Sequence, residues 1–333
     1  MPVNQSLAST SDHVFMSAFI VYLVAWVISI AYYVQVRALI EARQELTAEV
    51  REPVLATGGE GDAPAEESPV LPEKVQAKER RAEKIAGMMQ AVIWLGVILH
   101  IVSAVLRGLA VHRFPFGNLY EYVLVISAFA MAGAAAVLVQ KKEWATLWPW
   151  LLTPVLALLF FAEVRLYTVA APVMPALKSF WLPIHVTTVA VGAAIGLISG
   201  VASLLYLFRM AQPQGKEKGF FGAVAKPLPS AKTLDALAYR SGIVAVPVFG
   251  LGIVLGALWA EQSWGRYWGW DPKETVALIT WVLYAAYLHA RATAGWRAIW
   301  AAWINVAAFA VMVFNLFFIN MVVTSLHSYA GVN

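Results

Sequence analysis

Eight long blocks of mostly apolar residues constrain this chain more than any other feature. About 20 consecutive apolar residues allow an α-helix to cross the hydrocarbon core of a bilayer. The 333-residue chain is 60% hydrophobic and 13% charged, and soluble proteins carry roughly twice that charged fraction. We therefore predict an all-α, polytopic membrane protein with about eight transmembrane helices. The predicted spans are 14–36, 85–106, 118–140, 144–162, 181–208, 241–260, 275–290 and 298–323.

The chain divides into two membrane parts joined by a polar segment. Residues 1–36 hold the first transmembrane span, which lacks a small-residue cleavage site and is therefore not expected to be a signal peptide. Residues 37–84 are predicted to form a polar linker on the cytoplasmic side. Part of this linker is predicted to be disordered, because the run 57–69 is rich in Pro, Gly and acidic residues. Its charged flanks are compatible with helical extensions of the spans. Residues 85–330 predict one membrane domain, with a second polar linker at 211–233.

Positive charge is distributed unevenly between alternate loops. Cytoplasmic loops of membrane proteins carry the excess of Lys and Arg. The side with the larger share is therefore predicted to be cytoplasmic, and both termini are predicted on the outer side, as an even number of spans requires. Of the 24 Lys and Arg residues, those predicted on the outer side are Arg107, Arg113, Arg165, Lys178, Arg266 and Lys273.

Histidines are the candidate metal ligands, because the sequence contains six of them and no cysteine. Without cysteine the chain forms neither a disulfide nor a thiolate metal site. The predicted topology places His185 at the outer end of the fifth span and His327 just beyond the outer end of the eighth. The outer loop 261–274 lies between them in sequence. Two imidazoles on separate helices at one level can occupy both axial positions of a heme iron.

Two further histidines lie within predicted spans. His289 is about 22 Å from Glu274 along the seventh span, at 1.5 Å per residue, and so near the inner face. His100 is expected about 9 Å below the outer face, too far from His289 for the two to share one iron. We favour a structural role for His100. For His289 the pattern leaves a functional role and a structural hydrogen bond equally open, although intramembrane histidines are functional by default.

The loop 261–274 supplies flat side chains and charges next to the outer histidines. On pattern alone, aromatic residues at a membrane interface are more often an aromatic belt than a surface for a macrocycle. Asp271-Pro272, with Glu274 in the first turn, is also an ordinary helix start, which is compatible with a site. The aromatic residues of the loop are Trp264, Tyr267, Trp268 and Trp270, and the cations that can pair with propionates are Arg266 and Lys273.

Several segments match one family. The segment Trp259-Ala-Glu-Gln-Ser-Trp-Gly-Arg-Tyr-Trp-Gly-Trp-Asp-Pro-Lys-Glu-Thr, an outer loop at 259–275, resembles the tryptophan-rich WWD motif of heme-handling proteins. Its continuation through Tyr287-Leu-His-Ala-Arg is similar to the CcsA/ResC family of System II cytochrome c biogenesis, and the resemblance covers roughly 85–330. Val276 and Gly117 depart from the residues usual in the family. Other matching segments are Phe114–Glu121, Met174–Val186, Thr233–Arg240 and Leu326–Tyr329.

The resemblance implies which residues bind heme b. His185 and His327 would be the axial ligands of an external heme, and His289 would ligate heme at an inner transmembrane site. No residue of this chain is expected to act in acid–base catalysis. The family's WWD residues, which would contact the external heme, correspond to Trp264, Tyr267, Trp268, Trp270, Asp271, Lys273 and Glu274.

The resemblance also implies a reaction and partners. With a CcsB/ResB membrane protein, the chain would form a cytochrome c synthetase, a thioether-forming heme lyase in the bacterial plasma membrane. Heme would be exported and attached to apocytochrome c at Cys-X-X-Cys-His, with a thiol and heme reductant system and without nucleic acid. Three alternatives stay open: a WWD heme-handling protein of the other maturation pathway, a cytochrome b-like electron carrier, and a transporter for another substrate.

Overall fold

Helices account for all of the regular secondary structure in the part of the chain that the computed structural model describes, residues 2–56, 72–140, 142–173 and 175–327. This confirms the predicted all-α fold. The α-helices of this part are α1 (Gln5–Ala56), α2 (Glu73–Val111), α3 (Leu119–Leu138), α4 (Trp148–Phe161), α5 (Trp181–Ala211), α6 (Gly219–Ala225), α7 (Ala231–Trp264), α8 (Pro272–Ala292) and α9 (Ala298–Phe314).

Seven helical segments within the described ranges are long and apolar enough to cross a membrane. They confirm a polytopic membrane protein. The predicted span 275–290 corresponds to α8, which is not one of the seven. This helix carries Glu274 in its first turn and His289 and Arg291 in its last turn. Eight spans, and the side on which the termini lie, therefore stay predictions.

Helices α1 and α2 pack against each other along much of their length and continue beyond the predicted spans. In the part of the helix pair that lies beyond the predicted spans, the Arg43 guanidinium on α1 forms an ion pair with Glu79 on α2. Both ends of the segment 37–84 are therefore helical. The helices α1 and α2 run past the boundaries that were predicted for the linker. The Pro- and Gly-rich run 57–69, predicted to be disordered, lies outside the described residues.

Helix α5 is held between α7 and α9. A Cβ added at Gly192 would lie 2.9 Å from the Cα of Phe249, so the backbones of α5 and α7 approach closely. On the α9 side, the buried Asn305 side chain donates from Nδ2 to the hydroxyl oxygens of Ser199, at 2.9 Å, and Ser203, at 2.7 Å. Glycine contacts and interhelical hydrogen bonds are the usual means of joining helices in a membrane. They fix the helix that carries His185.

A buried ion cluster joins α1, α2 and α3. Arg107 and Glu121 are both 0% exposed, and Arg107 Nε donates to Glu121 Oε1 at 3.2 Å. Arg107 also pairs with Asp12 of α1 at 3.4 Å. Arg113 Nη1 and the Gly117 backbone N–H each donate to Glu121 Oε2 at 2.7 Å. Buried charges are tolerated when they are paired and hydrogen-bonded in this way.

Candidate functional site

A cavity of about 670 Å³ lies among α3, α4, α5, α7, α8 and α9. Ligand pockets typically span ~300–1,000 Å³ and are mostly apolar with a few polar groups, which describes this cavity. Both histidines predicted on the outer side, His185 and His327, line it. The residues of the lining that bear on function are His185, Tyr267, Trp268, Lys273, Glu274, Asn315 and His327.

His185 lies about one turn into α5, with its ring against α7. Its Nδ1 is 2.8 Å from the carbonyl oxygen of Gly252. In a neutral imidazole, an Nδ1 hydrogen donated to this carbonyl leaves the Nε2 lone pair for a metal. Gly256, one turn further along α7, leaves room for the ring, since a Cβ there would lie 2.7 Å from His185 Cε1. The packing of α7 therefore sets both the position and the tautomer of His185.

His327, beyond the end of α9, is held by Asp271. Its Nδ1 is 2.8 Å from Asp271 Oδ2, and the Leu326 backbone N–H donates to Asp271 Oδ1 at 3.0 Å. A carboxylate bonded to the second nitrogen of an imidazole is the usual support for a metal-binding histidine. Burial acts to raise the pKa of the Asp271 carboxyl, but the hydrogen bonds from His327 and Leu326 outweigh it, and the pKa lies below its usual 3.8.

Asp271 is also the N-cap of α8. Its carboxylate accepts the Lys273 N–H at 3.4 Å, and Glu274 Oε2 accepts the Asp271 backbone N–H at 3.1 Å, which completes a capping box. The Gly269 N–H also donates to Glu274, at 2.9 Å, and Arg266 lies 3.6 Å from the other Glu274 oxygen. The predicted helix start is therefore confirmed, and the residue that caps it also positions His327.

Trp259 contacts both histidine rings. Its ring centroid lies 5.8 Å from that of His185, nearly parallel at 12°, and 5.5 Å from that of His327, at 65°. Trp259 is 2% exposed, and its indole N–H donates to the Ala176 carbonyl at 3.1 Å. Trp264 packs beside it, with its centroid 4.8 Å from Trp259 and 4.9 Å from His327. The two indoles form a rigid wall against which both imidazoles lie.

The remaining aromatic residues of the loop differ in how much of each side chain is exposed to solvent. Tyr267 is 60% exposed and Trp270 is 70% exposed. Trp268 lines the cavity, and its ring meets that of Trp270 edge-on with 5.7 Å between centroids. Trp270 has φ of 58°, which is strained for a bulky side chain, and strain of this kind clusters at functional sites. Trp270 is not part of the cavity lining, and neither are the predicted contacts Trp264 and Asp271.

The two cations predicted to pair with propionates are placed differently. Lys273 lines the cavity, with its Nζ 2.9 Å from Asn320 Oδ1. Arg266 pairs with Glu274, and its guanidinium lies over the Trp264 ring at 5.9 Å from the centroid. Lys273 is therefore the cation that faces the cavity.

Comparison with known proteins decides the family. The family model described as Cytochrome C assembly protein matches residues 116–327. The chain is 33% identical, over 255 residues, to the Cytochrome c biogenesis protein CcsA of Chlamydomonas reinhardtii, covering 72% of this chain and 68% of that protein. The chain belongs to the CcsA family of cytochrome c biogenesis proteins.

Other relatives agree. The CcsA proteins of Parasynechococcus marenigrum and Guillardia theta are 33% and 34% identical to this chain, over 267 and 236 residues. The alignments cover 73% and 66% of this chain, and 86% and 78% of the relatives. This confirms the predicted resemblance and a role in cytochrome c biogenesis, for which the family implies heme handling. The match 116–327 includes every residue of the cavity lining and ends at His327, whereas α1 and α2 lie outside it.

The other histidines of this CcsA-family chain lie apart from the outer pair. His289 is exposed near the end of α8, opposite the Asp271 cap, and does not line the cavity. Its predicted role as a ligand of an inner heme stays a prediction. His100 is fully buried, with Nδ1 3.4 Å from the Tyr22 hydroxyl and Nε2 3.4 Å from the Ser127 hydroxyl. These contacts across three helices favour the structural role predicted for His100.

Four contributors to the site were not among the predicted site residues: Trp259, Gly252, Gly256 and Asn315. Trp259 is the first residue of the WWD-like segment. The sequence pattern does not distinguish a tryptophan that contacts two histidines from one that belongs to an aromatic belt. Gly252 and Gly256 form a Gly-x-x-x-Gly pair on one face of α7. This spacing permits close helix approach in membranes, and it is the signal that identifies them.

Proposed function

We propose that this protein holds heme at its outer face and presents it for covalent attachment to apocytochrome c, acting with a CcsB/ResB-like partner in the bacterial plasma membrane. One observation carries the proposal. His185 and His327 line the same cavity, and each has its Nδ1 bonded to a fixed acceptor, the Gly252 carbonyl or the Asp271 carboxylate. This is the arrangement that prepares Nε2 of an imidazole for a metal.

The residues of the cavity fit heme b. Among the described side chains, no group of three or more His, Asp or Glu is arranged to hold a metal ion. Two imidazoles suffice for a heme iron, since the porphyrin supplies the other four ligands. The mostly apolar wall, with Trp268 in it, suits the macrocycle, and Lys273 offers a cation to a propionate.

The chemistry also suits a chain without cysteine. Heme supplies two vinyl groups, and each thioether forms when a cysteine S–H of the apocytochrome adds across one vinyl C=C bond. Because this chain has no thiol of its own, it cannot form a thioether with the heme itself. The residues of this chain bind and orient the heme, and Trp259 and Trp264 keep both imidazoles in place.

We assign His289 to a separate inner site, with its second ligand from the partner. Two observations support this assignment. His289 is exposed on the surface of the chain, and it lies at the opposite end of α8 from Asp271. A partner can therefore reach the His289 imidazole. His185 and His327 line a cavity that does not include His289.

Absorption spectra of the purified protein, with and without the partner, test the proposal. We expect His185→Ala and His327→Ala each to weaken heme retention and to stop maturation, with added imidazole restoring part of the binding. His13→Ala, at an exposed position on α1, is the control and should behave as wild type. Wild-type heme spectra and activity in both cavity variants would overturn the proposal. A permanently held heme that cycles between redox states without transfer would instead support an electron carrier.

A further inference from the structure

The cavity contains a buried amide whose oxygen has no hydrogen-bond partner among the described residues. Asn315 is 8% exposed and lines the cavity. Its side-chain oxygen Oδ1 makes no hydrogen bond within the described part of the chain. Buried polar groups are normally paired, and an unpaired one calls for a specific explanation. A ligand that occupies the cavity can supply the missing partner.

The backbone at Asn315 is also unusual. It begins a π-helical turn, Asn315–Ile319, at the end of α9. Such turns occur frequently at functional sites. Asn320 stabilises the turn, because its Nδ2 donates to the Leu316 carbonyl at 2.6 Å while its Oδ1 accepts the Lys273 ammonium at 2.9 Å. Asn320 Nδ2 also donates to the Asn315 backbone carbonyl at 3.3 Å, so one side chain contacts both Asn315 and Lys273, which line the cavity.

The identity of the ligand group follows from the orientation that the proposed function requires, and the inference rests on that function. Thiols arriving from outside need access to the vinyl edge of the heme. The two carboxyl-bearing side chains of heme lie on the edge opposite the two vinyl groups. A vinyl edge that faces outward therefore directs the carboxyl groups into the cavity. Burying a carboxyl group is unfavourable unless it is hydrogen-bonded or paired with a cation.

We infer that Asn315 hydrogen-bonds a carboxyl group of the porphyrin within the cavity, beside the Lys273 ammonium, and so turns the vinyl edge toward the outer face. The amide carries both a donor, Nδ2, and an acceptor, Oδ1. A protonated carboxyl group matches both, and burial favours that protonated form. Lys273 serves the second carboxyl group in its ionised form. Asn315 is thus a positioning residue that distinguishes the two edges of the macrocycle.

Binding of two iron porphyrins tests the inference: iron protoporphyrin IX and its dimethyl ester, which lacks both acidic groups but keeps both vinyls. The full-length protein, in nanodiscs and with its partner, should bind the diacid at least about tenfold more tightly than the ester, the factor expected when one good hydrogen bond is lost. Asn315→Leu should weaken diacid binding several-fold and leave ester binding unchanged. Val313→Leu, at an apolar position of the same lining, should change both affinities equally.

Asn315→Asp provides a second variant of nearly the same shape. Asp keeps an acceptor for the propionic O–H but loses the Nδ2 donor, and its negative charge opposes the ionised carboxyl group beside Lys273, so diacid binding should weaken while ester binding holds. Equal loss of both porphyrins in these variants, or equal binding of both by the wild type, would refute the role of Asn315. Failure of the proposed function is distinguishable, since then heme binding would survive both His185→Ala and His327→Ala or be absent from the wild type.

Discussion

The carboxylate of Asp271 connects the start of α8 to the imidazole of His327, with 2.8 Å between Oδ2 and Nδ1. The same carboxylate caps α8 and accepts the Leu326 backbone N–H. Because the pKa of Asp271 lies below 3.8, this group is ionised at neutral pH and serves only as an acceptor. It therefore holds His327 and the start of α8 in one fixed arrangement.

Asp271→Asn separates the two roles of this residue. Asn and Asp are equally good N-caps, so α8 should keep its stability, but an amide does not replace the charged acceptor of the His327 N–H. We expect heme affinity to fall about 10- to 100-fold, the usual effect of removing such a supporting group, while the melting temperature changes little. Heme titration and thermal unfolding by circular dichroism measure the two quantities.

Asp271→Ala is the comparison for that variant. It removes the cap as well as the acceptor, so we expect a further loss of about 1 kcal/mol in stability. Wild-type heme affinity in Asp271→Asn would show that the orientation of His327 does not depend on the carboxylate.

Gly256→Ala should displace His185 without unfolding the protein. The added Cβ would lie 2.7 Å from Cε1 of the imidazole, closer than real Cβ contacts. We expect weaker heme binding and an altered Soret band. Gly133→Ala, in α3, is the matched control, because a Cβ there meets nothing within 4 Å. It should keep heme binding and gain up to about 1 kcal/mol, the difference in helix propensity between Ala and Gly. Unchanged spectra in Gly256→Ala would contradict the packing role of this glycine.

The helical membrane fold was predictable because lipid leaves few alternatives. A backbone that crosses the bilayer must satisfy its own polar groups, and long apolar blocks then predict helices. The ends of the helices were less predictable, since apolar patterning marks where lipid ends and not where a helix ends. Beyond Val36, α1 continues to Ala56 through charged residues such as Arg43 that are themselves good helix formers.

The sequence pointed to His185 and His327 as a pair, and the structure places both in one cavity, but the contacts around them were less predictable. Topology placed His185 and His327 on the same side, and the motif resemblance made them a pair. The contacts of Trp259 with both imidazoles depend on how α5 packs against α7 and on where the chain goes after α9. Such contacts join residues far apart in sequence, which local periodicity does not encode.

The ion pair of Arg107 and Glu121 should contribute strongly to stability. Glu121→Gln leaves the fully buried Arg107 without its carboxylate partner on α3, and breaking one side of a buried pair costs about 3–5 kcal/mol. We expect a clear fall in the melting temperature of the purified protein. Arg37→Ala is the control, because it breaks an exposed pair with Glu41 that is worth about 0–1 kcal/mol. Equal melting temperatures for the two variants would contradict a stabilising role of the buried cluster.

His289→Ala separates the inner site from the outer one. The imidazole of His289 is exposed and does not line the cavity of His185 and His327, so its removal should leave heme binding by the isolated chain unchanged. In a complex with the proposed partner, where a second ligand would complete the proposed inner site, the same substitution should remove one heme per complex. Heme content by pyridine hemochromogen assay, measured for both preparations, gives the comparison. Loss of heme from the isolated chain would show that His289 contributes to the outer site, and an unchanged heme content in the complex would show that it binds none.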